Sequence, residues 1–193
     1  MVHNGRGQVS EARTRLLATA SRIFYAEGLH SVGIDRIVAE AKVTRATLYR
    51  HFASKDELVV AYLRTVAQME RDQVEQAVAA GGSASDVLRA VAASIAAGIG
   101  SPGFRGCAFL NAAAEYPDRA HPVLRTVLEH REWFLRTVSG LFARIEEKSA
   151  EPAGRHFVML RDGAMSAGCL TDASEVGATF LAGVEGLLTY RSS

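Results

Sequence analysis

Two cysteines, four prolines and one tryptophan are all that 193 residues contain of those types, and aromatic side chains make up only 7% of the chain. Cys107 and Cys169 are too few to build a disulfide framework, so they are expected to be small buried hydrophobes in a reducing cytoplasm. No apolar run approaches the roughly 18 residues of a membrane span. The polar, glycine-containing stretch Met1 to Ser10, expected to be disordered, also lacks the apolar core of a secretion signal. Membrane insertion and secretion are therefore not expected. His121, His130 and His156 have neither the i, i+4 spacing nor the companion ligands of a metal site. A phosphate-cradling glycine loop and a Ser/His/Asp arrangement in recognisable context are likewise missing. Catalysis and metal sensing are disfavoured, and no cofactor is expected.

What is present is an ordinary globular balance, 48% hydrophobic and 22% charged, long enough for one largish domain or two small ones. The net charge of +1 conceals an asymmetry: residues 1–64 carry ten Lys/Arg against six Asp/Glu, a net of +4, and the remainder is net −3. A basic segment on a mildly acidic body is the balance of a polyanion-binding part joined to something else.

Apolar residues recur at helical spacing throughout, and no stretch alternates as a half-buried strand would. The chain reads as all-α, with about nine helices. Leu16, Leu17, Ala20, Ile23 and Phe24 share a face of a first helix over 13–26, closed by Gly28. A second, short helix carries Ile34, Ile37, Val38 and Ala41, and breaks at Lys42-Val43-Thr44. A third runs from Arg45 to Phe52 with Thr44 as its N-cap. Ser54-Lys-Asp-Glu57 reads as a capping box opening a long helix to about Ala80, with Leu58, Tyr62, Val66 and Met69 on it. Further helices are expected over 86–97, 107–115, 122–148, 152–170 and 174–190. The junction of the third and fourth helices divides the chain into a domain at 10–54 and another at 55–193.

Two short helices joined by a tight turn, the second polar-capped and rich in exposed Arg, form the helix-turn-helix pattern. Leu48 and Phe52, four apart, must face the small core with Val43, which turns Arg45, Ala46, Tyr49 and Arg50 outward. Arg suits the O6 and N7 acceptors of guanine, and also phosphate, while Ala46 can offer its methyl to thymine or a sugar. Thr44, Thr47, Tyr49, His51 and Lys55 end in groups suited to phosphate oxygens.

The run from Ile34 to Leu58, with Arg15 to Gly28 before it, resembles the DNA-binding domain of the tetracycline-repressor family of bacterial transcription regulators. Ala20-x-x-x-Phe24-x-x-x-Gly28, Thr47-x-Tyr49-x-His51-Phe52 and Ser54-Lys55-x-x-Leu58 occur together and in order. The resemblance implies an all-helical homodimer, a C-terminal domain holding a small-molecule effector, and release of a double-stranded, palindromic operator on effector binding. It also implies that Arg45, Ala46 and Arg50 read bases while Thr47, Tyr49, His51 and Lys55 hold the backbone. Two positions depart from the family pattern: Gly33 stands where Thr or Ser usually caps the second helix, and Lys42 where glycine usually makes the turn. Lys42 must then adopt a left-handed conformation or alter the turn. The same pattern fits repression or activation, and the competing class is a helical enzyme or binding protein that uses its first three helices as scaffold.

The stretch Gly106 to Asp118 also looks like a subset of that family. Phe104, Phe109, Trp133, Phe134, Met159, Met165 and Phe180 are candidates for an apolar pocket, with Asn111 and Glu115, four apart on an apolar helix, as its polar fixtures. Phe109, Asn111, Glu115, Trp133 and Met165 are the expected ligand residues. Small residues crowd the last two helices, from Gly163 to Gly168 and from Gly177 to Gly186, and glycine costs about 1 kcal/mol in a helix interior relative to Ala. That stripe reads as a dimer face, with Ala167, Ala178, Leu181, Ala182, Glu185 and Leu188 on it; packing within one subunit is the alternative.

Overall fold

A computed structural model of the protein describes residues 10–189. Among them are nine α-helices: α1 (Glu11–Glu27), α2 (Ile34–Glu40), α3 (Arg45–His51), α4 (Lys55–Ala79), α5 (Ala84–Ile99), α6 (Ala108–Glu115), α7 (Pro122–Ala143), α8 (Ala150–Ala167) and α9 (Ala173–Thr189). No strand occurs among the described residues, and no described helix is long and apolar enough to cross a membrane. The contacts separate two compact units, Met1–Arg64 and Thr65–Ser193, with the division inside α4.

In the first unit α1, α2 and α3 pack on one another. Leu16, Ala20, Ile23 and Phe24 bury the inner face of α1, and Ile37, Leu48, Phe52 and Leu58 complete the core, each at most 2% exposed. Gly28 ends α1 at φ 94°, a conformation open to glycine, and its N–H bonds the Phe24 carbonyl. α2 ends in the two crossed bonds of a Schellman turn, Lys42 N–H to Ala39 O and Val43 N–H to Val38 O. The turn forces Lys42 to φ 52°, the left-handed one of the two alternatives its place in the turn left open, at a cost of about 1–2 kcal/mol. The capping box before α4 differs by one residue from expectation. Ser54 Oγ accepts from Glu57 N–H at 3.1 Å, but the Glu57 carboxylate reaches back to the Ala53 amide, at 2.6 Å, instead of the amide of Ser54.

In the second unit α7 packs on α8, α8 on α9, α5 on α9 and α6 on α7. Leu88, Ile99, Val138, Phe142, Phe157, Phe180 and Val184 fill the shared core. Ser83 opens α5 with a full capping box to Asp86, and Pro122 sits in the first turn of α7, where its missing N–H costs nothing. α7 stops at Ala143, short of Lys148. Ile145 and Glu146 both bond the Phe142 carbonyl, tightening the backbone so that Ile145 turns onto the core, and a short 3-10 turn over Glu147–Ser149 leads into α8. The helix expected to end at Tyr190 reaches Thr189; Tyr190 and the first nine residues lie outside the described ones.

Two side chains expected inside, Met159 at 70% and Cys169, are exposed, and so is Met69 at 58%. Met69 and Met159 stand on the solvent side of their helices, where periodicity allowed either face, and Cys169 lies in the turn that follows α8. Cys107 is buried as expected.

Candidate nucleic-acid interface

α3 is only seven residues long, so its amide end depends on its cap. Thr44 supplies it: Oγ1 accepts from the Thr47 N–H at 3.1 Å, and the Thr44 and Thr47 hydroxyls lie 2.9 Å apart. Leu48 and Phe52 anchor the inner face, at 0% and 1% exposure. The opposite face then presents Arg45, Ala46, Tyr49 and Arg50, all exposed. Thr47 and His51 are half-buried, and His51 Nε2 lies 3.4 Å from Ser10 Oγ. Lys55, also half-buried, donates to the His30 carbonyl at 3.4 Å.

The basic charge of this unit is distributed unevenly. Arg36 pairs with Glu40 and Glu27, Arg22 also reaches Glu40, and Arg13 stacks on Phe52, 5.0 Å from the ring centre. Arg45 is held by Asp35 of α2 through two bonds of 2.6 Å. That hydrogen-bonded guanidinium keeps the Asp35 carboxyl below its ordinary range, and the carboxylate raises Arg45 in return. Lys42 and Arg50 are exposed and have no carboxylate partner among the described residues.

A second polar cluster lies within the other unit, in its interior. Arg161 on α8 is 3% exposed and donates from Nη2 to both oxygens of Glu70, at 3.0 and 3.1 Å. His130 on α7, 2% exposed, meets the same carboxylate through Nε2 at 3.1 Å and stacks on Phe109 at 3.8 Å between ring centres. Arg161 also lies over Phe134, and its Nη1 is 3.8 Å from the Cys107 sulfur. Burial pushes the Glu70 carboxyl up, but the His130 hydrogen bond and the Arg161 charge outweigh it and hold it below its ordinary range. Burial alone would lower Arg161, and it is the largest single influence; the charge of Glu70, together with smaller contributions from Cys107 and Asp162, more than offsets it. Arg161 Nε and His130 Nδ1 have no hydrogen-bond partner among the described residues.

The expected ligand residues divide around this cluster. Phe109 is part of it, and Trp133 is 5.4 Å from the His130 ring and under the Arg71 guanidinium at 5.1 Å. Met165 packs on the core, and Glu115 is half-buried. Asn111 is exposed instead of buried, because its amide has turned to donate to the Arg105 carbonyl at 2.9 Å. Glu70, His130 and Arg161 were not among the expected site residues. A signal existed: Arg161 sits four residues after Phe157 and three before Ala164, and His130 three after Val127 and four before Phe134, polar side chains on otherwise apolar faces.

Comparison with known proteins bears on both units. Residues 16–62 match the family of bacterial regulatory proteins of the tetR type. Over almost its whole length the chain is similar to SCO4454, a TetR-family transcriptional regulator from Streptomyces coelicolor. The identity is 63%, the TM-score 0.92, and the match covers 95% of this chain and 97% of that one. The chain belongs to the TetR family of bacterial transcriptional regulators. Members of the TetR family are DNA-binding transcription factors, not enzymes. Curated relatives match over shorter stretches. The transcriptional activator FasR of Mycolicibacterium smegmatis is 44% identical over 54 residues, 28% of this chain and 25% of that protein. The transcriptional repressor KstR2 of Mycobacterium tuberculosis is 40% identical over 58 residues, 30% of this chain and 29% of that protein. The matched stretch thus spans about a quarter of those relatives' length.

In this TetR-family chain the small residues of α8 and α9 have two uses. Some admit close packing within the unit: a Cβ on Gly168 would lie 2.6 Å from Ile99, and one on Gly154 would meet the Ser139 backbone at 3.1 Å. Others face outward, with open space around Gly163 and Gly186 and with Ala178, Ala182 and Glu185 exposed. Ala167 and Leu181 are half-buried. Leu188, expected on the outer face, is instead 2% exposed in the unit's own core, and Glu185 is bound to Arg89 of the same chain at 2.6 Å.

Proposed function

We propose that this regulator is a cytoplasmic repressor that binds a palindromic operator as a homodimer and is released when a small molecule enters the C-terminal unit. Residues 10–54 form the reading head, and residues 55–193 bind effector and partner subunit. Arg45, Ala46 and Arg50 face base edges; Thr44, Thr47, Tyr49, His51 and Lys55 hold phosphates. The observation that carries the reading is the exposed face of α3, where Arg45, Ala46, Tyr49 and Arg50 stand together on a helix anchored by Leu48 and Phe52. A helix so presented fits the major groove with its N-terminal residues toward the bases.

The effector would meet Phe109, Trp133 and Met165, with Glu115 and Asn111 nearer its polar end; the buried Arg161 Nε–H adds a donor, and His130 Nδ1 a further polar atom, that no described residue satisfies. Release requires that the effector favour the non-binding state, since equal affinity for both states shifts nothing. The partner subunit would cover Ala167, Ala178, Leu181, Ala182 and Glu185, with Leu188 supporting that face from beneath.

The test is binding of the purified protein to its own upstream DNA and to a scrambled duplex of equal length, across a salt series. The expected result is a specific-to-scrambled ratio of at least about 10³, and a log–log salt slope near −0.9 for each phosphate contact. Absence of binding even at low salt contradicts the reading. The specific complex then serves to screen small molecules by displacement.

A further inference from the structure

Arg45 opens α3, and Asp35 lies in the first turn of α2. Their pairing has a defined edge. Asp35 Oδ1 accepts from Nε and Oδ2 from Nη2, both at 2.6 Å, so the carboxylate occupies the side edge of the guanidinium. A guanidinium is planar, with five N–H donors in fixed directions. With the side edge taken, the end edge remains, one N–H on Nη1 and one on Nη2 pointing the same way. Both residues are exposed, Arg45 at 59% and Asp35 at 75% of their side chains, so the end edge opens to solvent.

We propose that Asp35 is a specificity-determining residue that holds Arg45 by its side edge so that its end edge reads a guanine. In the major groove guanine offers two adjacent acceptors, O6 and N7, whereas adenine offers an acceptor beside a donor. A fork of two parallel N–H groups suits the first and not the second. The carboxylate also fixes the plane of the fork before binding, which reduces the side-chain freedom lost in the complex. The pair is neutral as a whole, and its anion repels phosphate. Asp35 therefore turns a cation that would bind any backbone into one that binds a base, the exclusion of wrong contacts on which specificity depends. The inference rests on the reading of Arg45 as a base contact made above.

The test uses the full-length protein. Wild type first selects its preferred sequence from random duplexes, and each G·C pair of that sequence is then exchanged for A·T. One exchange should weaken wild-type binding by about tenfold to a hundredfold through Arg45, and Arg45→Ala should lose that discrimination. Asp35→Ala should reduce it to less than about threefold while binding scrambled DNA more tightly and with a steeper salt slope, since a cation is freed and an anion removed. Asp35→Asn, which keeps the shape, should fall between. Asp35→Ala combined with Arg45→Ala should lose no more discrimination at that pair than Arg45→Ala alone. Glu11→Ala, which removes the same charge from the Arg15 pair on α1, should leave discrimination unchanged. If Asp35→Ala keeps the discrimination that Arg45→Ala loses, or if Arg45→Ala loses none at any G·C pair, the proposal is overturned and DNA reading by α3 survives. A wild type that selects no preferred sequence overturns that reading and the proposal with it.

Discussion

The first unit carries its guanidinium–carboxylate pairs on the surface, whereas the second closes one inside. Arg45 and Asp35 expose 59% and 75% of their side chains; Arg161 exposes 4%, and Glu70, its partner, 24%. In water the attraction is weak and easily exchanged, so an exposed pair contributes little to stability but can still orient a donor for a ligand. Inside, the desolvation cost is large, and the pair holds only while both members and their hydrogen bonds are in place. The same two functional groups thus serve recognition in one unit and helix placement in the other.

The buried pair offers the sharpest way to break this contrast. Glu70→Leu leaves Arg161 buried without its main counter-charge and should cost about 3–5 kcal/mol, about 6–20 °C in melting temperature for a chain of this size. Adding Arg161→Met should recover most of that loss, because an apolar pair of similar volume needs no desolvation. Thermal melts of the two variants decide it; a single variant as stable as wild type would remove the distinction between the units. The acid limb adds a second reading. The folded carboxyl of Glu70 lies below its ordinary value of 4.5. Its contribution is therefore complete above that value and is lost as pH falls through the lower, folded one. Between about pH 5 and pH 3, wild type should lose melting temperature more steeply than Glu70→Gln.

A smaller effect tests the close contact of α7 with α8. Gly154→Ala places a Cβ against the Ser139 backbone and should cost about 1–3 kcal/mol. Gly163→Ala meets open space in the subunit and should raise helix stability by up to about 1 kcal/mol. If Gly163→Ala also weakens self-association in sedimentation, the outward stripe is the dimer face; unchanged association argues for a different one. Thr44→Ala removes the N-cap of α3 and should cost about 1 kcal/mol by denaturant titration. Asp35→Ala should leave the melting temperature unchanged while altering DNA discrimination.

How much of this was legible in the sequence follows from the range of the interactions involved. Thr44 as a cap, Gly28 as a stop and Lys42 as a strained turn residue act over a few positions, and each stands where the sequence placed it. The outward face of α3 follows from Leu48 and Phe52 alone. The buried triad joins residues 70, 130 and 161 from three helices, so periodicity within one helix could mark Arg161 and His130 as anomalous but could not pair them. Asn111 misled for a related reason: its partner, the Arg105 carbonyl, lies in the loop before α6, and a satisfied amide need not be buried. The early stop of α7 depends on where Ile145 finds the core, a tertiary preference that the apolar pattern simply carried onward.

The most direct test of the central claim compares wild type, Arg50→Ala and Lys55→Ala on operator and scrambled DNA over a salt series. Arg50→Ala should lower the specific-to-scrambled ratio by about tenfold, and Lys55→Ala should weaken both duplexes about equally and flatten the salt slope by about one. All three proteins should keep a common helical content. Equal losses of ratio in both variants, or a wild type that binds the two duplexes alike, would contradict reading of the operator by the exposed face of α3.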